Sequence, residues 1–174
     1  MKSNIEKEFI DFYEKETDAV FRFFLVRLPE RETALDLTQE TFLKYWKTMQ
    51  KEKVENARAY IFSVARNALI DWYRKKKSIS LEEFTEGEDG QHFDLPDESS
   101  PNPEKTASAR MALEKINELP PNQREIIYMR FVEDLPPQEI AKILQESANV
   151  VSVRLSRALE ALRKILRINE MKKN

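Results

Sequence analysis

Apolar side chains along this chain recur every three or four residues and almost never alternate, a spacing that predicts α-helices from end to end. Near the N-terminus the stripe runs through Ile5, Phe9, Phe12, Tyr13, Val20, Phe24 and Leu28, with Thr17-Asp18 expected to break it into two helices. The next helix is expected over residues 32–49, on Ala34, Leu37, Thr41, Phe42, Tyr45 and Met49. Residues 50–56 are polar and loop-like. Asn56 can then cap a helix over 56–76 whose inward stripe is Ile61, Val64, Ala65, Ala68 and Trp72.

Beyond this the period lapses, because Leu81, Phe84, Phe93 and Leu95 share no helical face. It returns over 105–119, where Pro120-Pro121 stop it. Asn122 and Glu125 have the spacing of a capping box and open a helix expected to end near Glu133. Pro136-Pro137 introduce a short helix over 138–145, and Ser147 caps a longer one over 147–168. A short helix, a brief turn and a longer basic helix form the pattern of a helix-turn-helix.

Composition narrows this to an all-α fold. The two glycines, Gly87 and Gly90, lie in one aperiodic stretch, whereas a sheet-rich chain needs glycine in its tight turns. With no Cys and a lone His92, disulfides and a thiolate or histidine-rich metal site are excluded. No apolar run approaches the ~20 residues that span a bilayer, and residues 1–9 lack a signal-peptide core. The expectation is a cytoplasmic protein without membrane insertion.

The net charge of −2 conceals a division along the chain. Residues 1–77 carry 16 Lys/Arg against 13 Asp/Glu, and residues 104–174 carry 13 against 10. Residues 78–103 carry eight acids and no base, together with both glycines, Pro96, Pro101 and Pro103. That is linker composition, and a flexible chain of this length separates its ends by about 30 Å. Two small helical domains, 1–77 and 104–174, joined by a flexible acidic linker, are therefore expected, the second containing the helix-turn-helix.

Two faces are left over once the stripes are assigned inward. On the 56–76 helix, Ser63, Arg66, Asn67, Ile70 and Arg74 share the side opposite the core, ending in the run Arg74-Lys75-Lys76-Lys77 near Tyr60, Trp72 and Tyr73. Cations beside aromatic rings suit phosphates and unstacked bases, although basic residues at a helix C-terminus also complement its dipole. On the last helix, Ser152, Val153, Ser156 and Arg157 point away from Val151, Leu155, Ala158 and Leu162, with Arg154 on the flank. Arginine can read guanine or clamp phosphate, and small neighbours allow close approach to the groove.

Four segments carry a family resemblance. They are Asp36-Leu37-Thr38-Gln39-Glu40-Thr41-Phe42, Ala65-Arg66-Asn67-Ala68-Leu69-Ile70-Asp71-Trp72, Leu119-Pro120-Pro121-Asn122-Gln123-Arg124-Glu125, and Glu139-Ile140-Ala141-Lys142-Ile143-Leu144 followed by Val151-Ser152-Val153-Arg154-Leu155-Ser156-Arg157-Ala158. In this order and spacing the chain resembles the extracytoplasmic-function (group 4) sigma factors of bacterial RNA polymerase. The resemblance implies a factor that directs promoter recognition, DNA opening and transcription initiation for a specialised regulon. Its partners would be core RNA polymerase, promoter DNA and an anti-sigma factor, with no cofactor, metal or catalytic residue of its own.

The resemblance also implies site residues. Asp36, Gln39, Glu40, Phe42 and Trp46 fall where the family grips the polymerase. Lys51, Lys53 and Asn56, in the loop that captures a flipped base, join Arg66, Asn67, Ile70, Arg74 and Lys75 at the minus-ten element. Ser152, Val153, Arg154, Ser156 and Arg157 match the minus-thirty-five reader, and the linker matches the segment that threads through the polymerase. This chain departs from the pattern at Gln145-Glu146, where Gly and an apolar residue are usual. It departs again at Ser152 and Val153, where a basic and a small polar residue are common, and at Pro136, where a Ser cap is usual.

Three other classes compete with this reading. A stand-alone helix-turn-helix regulator would bind DNA through residues 104–174, with the first block as an effector or dimer domain, and leave the segment around Asp36–Phe42 unexplained. An adaptor with no DNA role would be indifferent to the sign of Arg66, Arg74, Arg154 and Arg157. An enzyme is the least favoured reading, since there is no phosphate-binding glycine loop, no nucleophile paired with a base and no metal cluster.

Overall fold

The computed structural model describes the backbone of residues 2–82 and 103–173, and side chains over 4–77 and 107–167. Among the described residues there are seven α-helices, one π-helical turn and no strand. The chain divides into two compact units, Met1–Asp94 and Leu95–Asn174. Most of the stretch expected to be a linker lies outside the described residues. The helices on either side reach into it, to Glu82 and from Pro103.

In the first unit, α1 (Lys2–Leu25), α2 (Arg31–Met49) and α3 (Ala57–Glu82) pack around Val20, Phe23, Phe24, Phe42, Tyr45, Ile61, Phe62 and Ala65. Large rings fill the seam between α1 and α2. Phe12 lies 4.8 Å from Tyr45, Tyr13 4.7 Å from Phe42 and Phe9 5.0 Å from Trp46, centroid to centroid. Burial of the Tyr45 hydroxyl, with the Glu8 carboxylate nearby, pushes its pKa above the usual tyrosine value. The ring therefore stays neutral across the physiological range.

The break expected at Thr17-Asp18 does not occur, and α1 is continuous. Thr17 Oγ1 donates to the Tyr13 carbonyl 2.5 Å away, so its hydroxyl finds a partner within the helix instead of ending it. The same turn is held from outside, because Glu16, 4% exposed, receives Arg58 Nε of α3 at 3.0 Å. Local propensity for a break is overruled by burial on both sides of it, at Glu16, Ala19 and Val20.

In the second unit, α4 (Pro103–Asn117), α5 (Pro121–Ile127), α6 (Pro137–Leu144) and α7 (Ala148–Lys173) enclose Leu119, Ile126, Ile127, Met129, Leu135, Ile140, Val151 and Ala158. The expected Asn122 cap is corrected. The cap and the helix start lie two residues earlier, with Pro121 at the first helical position and the Pro120 carbonyl accepting from the amides of Gln123 and Arg124 at 3.0 and 2.9 Å. Proline suits that position, having a fixed φ and no N–H to satisfy.

A π turn, Tyr128–Val132, continues α5. It turns Tyr128 and Met129 inward, and the Tyr128 hydroxyl donates to Asn117 Oδ1 of α4 at 2.7 Å. Ser147 Oγ caps α7 by accepting from the Val150 amide at 3.2 Å, as expected.

Arg58→Ala leaves the Glu16 carboxylate buried without its partner. It is expected to destabilise the first unit by about 3–5 kcal/mol, read as a lower midpoint in urea unfolding followed by circular dichroism.

Candidate nucleic-acid interfaces

Three surfaces carry the residues singled out by sequence, two on the first unit and one on the second. The first is the outer side of α2. Asp36, Gln39 and Glu40 are exposed there, and Glu40 pairs with Lys44 at 2.9 Å in solvent. Phe42, 2% exposed, belongs to the layer beneath, where its ring meets Phe9, Phe12 and Tyr13. Trp46, half-buried, walls a groove of about 500 Å³ between α1 and α2, lined also by Phe9, Ile10, Tyr13, Gln39 and Leu43.

Leu43 and Ile10 are half exposed, at 51% and 52%, and were not singled out from sequence. The available signal was an apolar residue standing off its own helix's stripe. Polar and acidic groups beside an apolar groove suit a basic partner helix.

The second surface combines the 50–56 loop with α3. The loop is tied at both ends, with a 2.9 Å hydrogen bond between the Thr48 and Tyr60 hydroxyls on one side. On the other, Asn56 Oδ1 accepts from the Ala59 amide at 2.9 Å, so Asn56 is the helix cap that its sequence position suggested. Lys51 and Lys53 project into solvent from this braced loop.

Along α3, Asn67, Ile70, Arg74 and Lys75 are exposed and Arg66 half-buried, opposite the buried Ile61, Ala65 and Ala68. Arg74 makes a loose, exposed pair with Asp71 at 3.4 Å, too weak to remove it from a phosphate. Near the basic end, Lys76 Nζ lies 5.1 Å from the Trp72 ring, and the Tyr73 hydroxyl donates to the Arg27 carbonyl just beyond α1. Cations, an amide and an exposed aliphatic side chain thus share one rigid face.

The third surface is the helix-turn-helix of α6 and α7. Gln145 adopts the left-handed conformation, φ 56° and ψ 41°, that the family pattern assigns to glycine. The Glu146 amide reaches back to the Ala141 carbonyl at 2.9 Å, and the turn closes as a Schellman motif without glycine. On α7, Ser152, Val153, Ser156 and Arg157 are exposed.

Arg154 differs. It is partly buried, with Nη1 2.6 Å from Glu146 Oε1 and Nη2 donating to the Asn122 carbonyl at 3.1 Å. Glu146, which stands where the family pattern has an apolar residue, is charge-paired by this contact.

Polar and cationic surfaces on two helical units, one of them carrying a helix-turn-helix, have the features that suit nucleic-acid partners. Comparison with known proteins defines the chain further. The sigma-70 region 2 model matches residues 12–79 and the sigma-70, region 4 model matches residues 109–162, well over half of the chain between them.

Among curated relatives, the RNA polymerase sigma factor YlaC of Bacillus subtilis is 26% identical over 94% of this chain and 92% of its own length. The extracytoplasmic-function sigma factor SigM of the same organism is 28% identical over 88% and 91%. The sigma factor RpoE of Bartonella quintana, solved in complex with the anti-sigma factor NepR, shares the fold. Its TM-score is 0.65 at 21% identity, covering 91% of this chain and 98% of that one.

The chain belongs to the sigma-70 family, as an RNA polymerase sigma factor of the extracytoplasmic-function type. A stand-alone regulator accounts for the region 4 match but leaves the region 2 match without a role. The family is one of transcription initiation factors. No helix among the described residues is long and apolar enough to cross a membrane.

Gln145→Gly removes the side-chain cost of the left-handed turn and is expected to stabilise the second unit by about 1 kcal/mol. Thermal unfolding of the two proteins side by side checks it.

Proposed function

We propose that residues 1–77 grip core polymerase and open the minus-ten element, that residues 104–174 read the minus-thirty-five element, and that 78–103 tether the two. The observation that carries this reading is the outward face of α3. Arg66, Asn67, Ile70 and Arg74 stand together on it because the opposite stripe is committed to the core.

At the minus-ten element, Arg66, Arg74 and Lys75 neutralise phosphates while Asn67 and Ile70 meet unstacked bases. Lys51 and Lys53 steer the strand to the 50–56 loop, whose shape Asn56 maintains as a cap. Contacts of this kind offset the few kcal/mol lost for each base removed from the stack. Opening therefore draws on binding energy, and the chain acts in the cytoplasm with no catalytic residue, cofactor or metal of its own.

Asp36, Gln39 and Glu40, with Trp46 and the groove beside it, form the polymerase-binding ridge, and Phe42 supports it from beneath. Ser152, Val153, Ser156 and Arg157 face the upstream element, while Arg154, on the flank, braces α7 against the turn before it. The complex of the Bartonella quintana relative with an anti-sigma factor supports a comparable restraining partner here.

Run-off transcription with core polymerase on genomic fragments tests the reading. Asn67→Ala is expected to reduce open-complex formation at least tenfold with recruitment nearly intact. Arg157→Ala is expected to weaken upstream binding. Leu43→Asp is expected to lower polymerase capture without altering thermal stability. Wild-type behaviour of all three variants contradicts the assignments.

A further inference from the structure

The first two turns of α7 contain a single cation, Arg154, and the protein itself holds it. An arginine reads guanine by aiming a pair of its N–H donors at O6 and N7. Here both terminal nitrogens are engaged inside the unit, Nη1 with Glu146 at 2.6 Å and Nη2 with the Asn122 carbonyl at 3.1 Å. The two side chains are 25% and 30% exposed, so the pair is screened less than a surface ion pair. Swinging Arg154 into a groove would also leave Glu146, in the turn ahead of α7, as an unpaired carboxylate near the phosphates.

What remains exposed on those two turns has a different chemistry. Val150 and Val153, 47% and 49% exposed, lie one helical turn apart. Asn149 is exposed beside them. The Ser152 hydroxyl donates to the Ala148 carbonyl at 2.9 Å, which leaves its oxygen as an acceptor and removes its donor from the guanine edge.

In the major groove an apolar side chain finds its match in the thymine methyl group, and an asparagine amide in adenine N6 and N7. We infer that the Glu146–Arg154 pair is a specificity determinant, withdrawing Arg154 from the DNA so that α7 reads A·T pairs through Val150, Val153 and Asn149. Arg154 is thus a positioning residue, bracing the turn against α5 and α7, and Arg157, one turn further on, is the first exposed cation.

This rests on the reading of α7 as the minus-thirty-five helix, and the test separates the two. The full chain with core polymerase is given a promoter library randomised over the minus-thirty-five element, and productive templates are sequenced. The wild type is expected to enrich A·T pairs at the positions facing the first two turns. Glu146→Gln removes the charge that holds Arg154 back and is expected to raise guanine at one of these positions about tenfold, with a steeper loss of binding in salt.

Arg154→Met keeps the aliphatic stem and is expected to retain the wild-type preference, a result that a base-reading arginine could not give. Val153→Ser is expected to lower the thymine preference several-fold. Guanine enrichment by the wild type that Arg154→Met abolishes overturns the inference, as does a base preference unaltered by Glu146→Gln. No enrichment of any sequence overturns the promoter-reading assignment, and the inference with it.

Discussion

A bundle of three helices can hide only one stripe of each, and in the first unit that stripe is filled by rings too large to leave the helix spacing free. Phe9, Phe12, Tyr13, Phe42, Tyr45 and Trp46 set the separation of α1 and α2, and Phe23 and Phe62 set that of α1 and α3. With the inward sides so committed, the outward sides of α2 and α3 are held in place without taking part in the core. Two exposed surfaces of different character follow, an acidic ridge by an apolar groove and a cationic face with an exposed aliphatic side chain. The Glu16–Arg58 pair fits the same arrangement, since it crosses between helices where the stripe gives way to polar residues.

The second unit solves a similar problem with fewer residues and no glycine. Two of its helices, α5 and α6, have only seven and eight residues, and a proline opens each. The turn before α7 places Gln145 in the left-handed region, where a side chain costs on the order of 1 kcal/mol. Arg154 compensates by joining α7 to the turn and to the start of α5. One guanidinium therefore ties the turn, α5 and α7 together.

Much of this is readable from residue order. Helix count in the second unit, the Asn56 and Ser147 caps and the outward setting of Asn67, Ile70, Ser152 and Val153 follow from periodicity and local chemistry, and the glycine usual in the family marks the turn at Gln145. Errors arose where a residue's local preference met a longer-range contact. Thr17-Asp18 reads as a break, yet burial of Glu16 and Val20 continues the helix through it. Asn122 reads as a cap, yet the Pro120 carbonyl already serves the first amides. Phe42 falls in the inward stripe by spacing and in the polymerase-gripping set by family resemblance, and in the fold its ring completes the aromatic layer.

Periodicity and charge specify which face of each helix turns inward and which patches are cationic, because both are properties of spacing along a single helix. Folding settles which of those charges remain available to a partner. Glu146 and Arg154 are eight residues apart on either side of a turn, and Asn122 lies 32 residues before Arg154. No spacing rule along one helix relates such positions. Only when α5, the turn and α7 are packed together does an arginine suited to guanine become an internal strut.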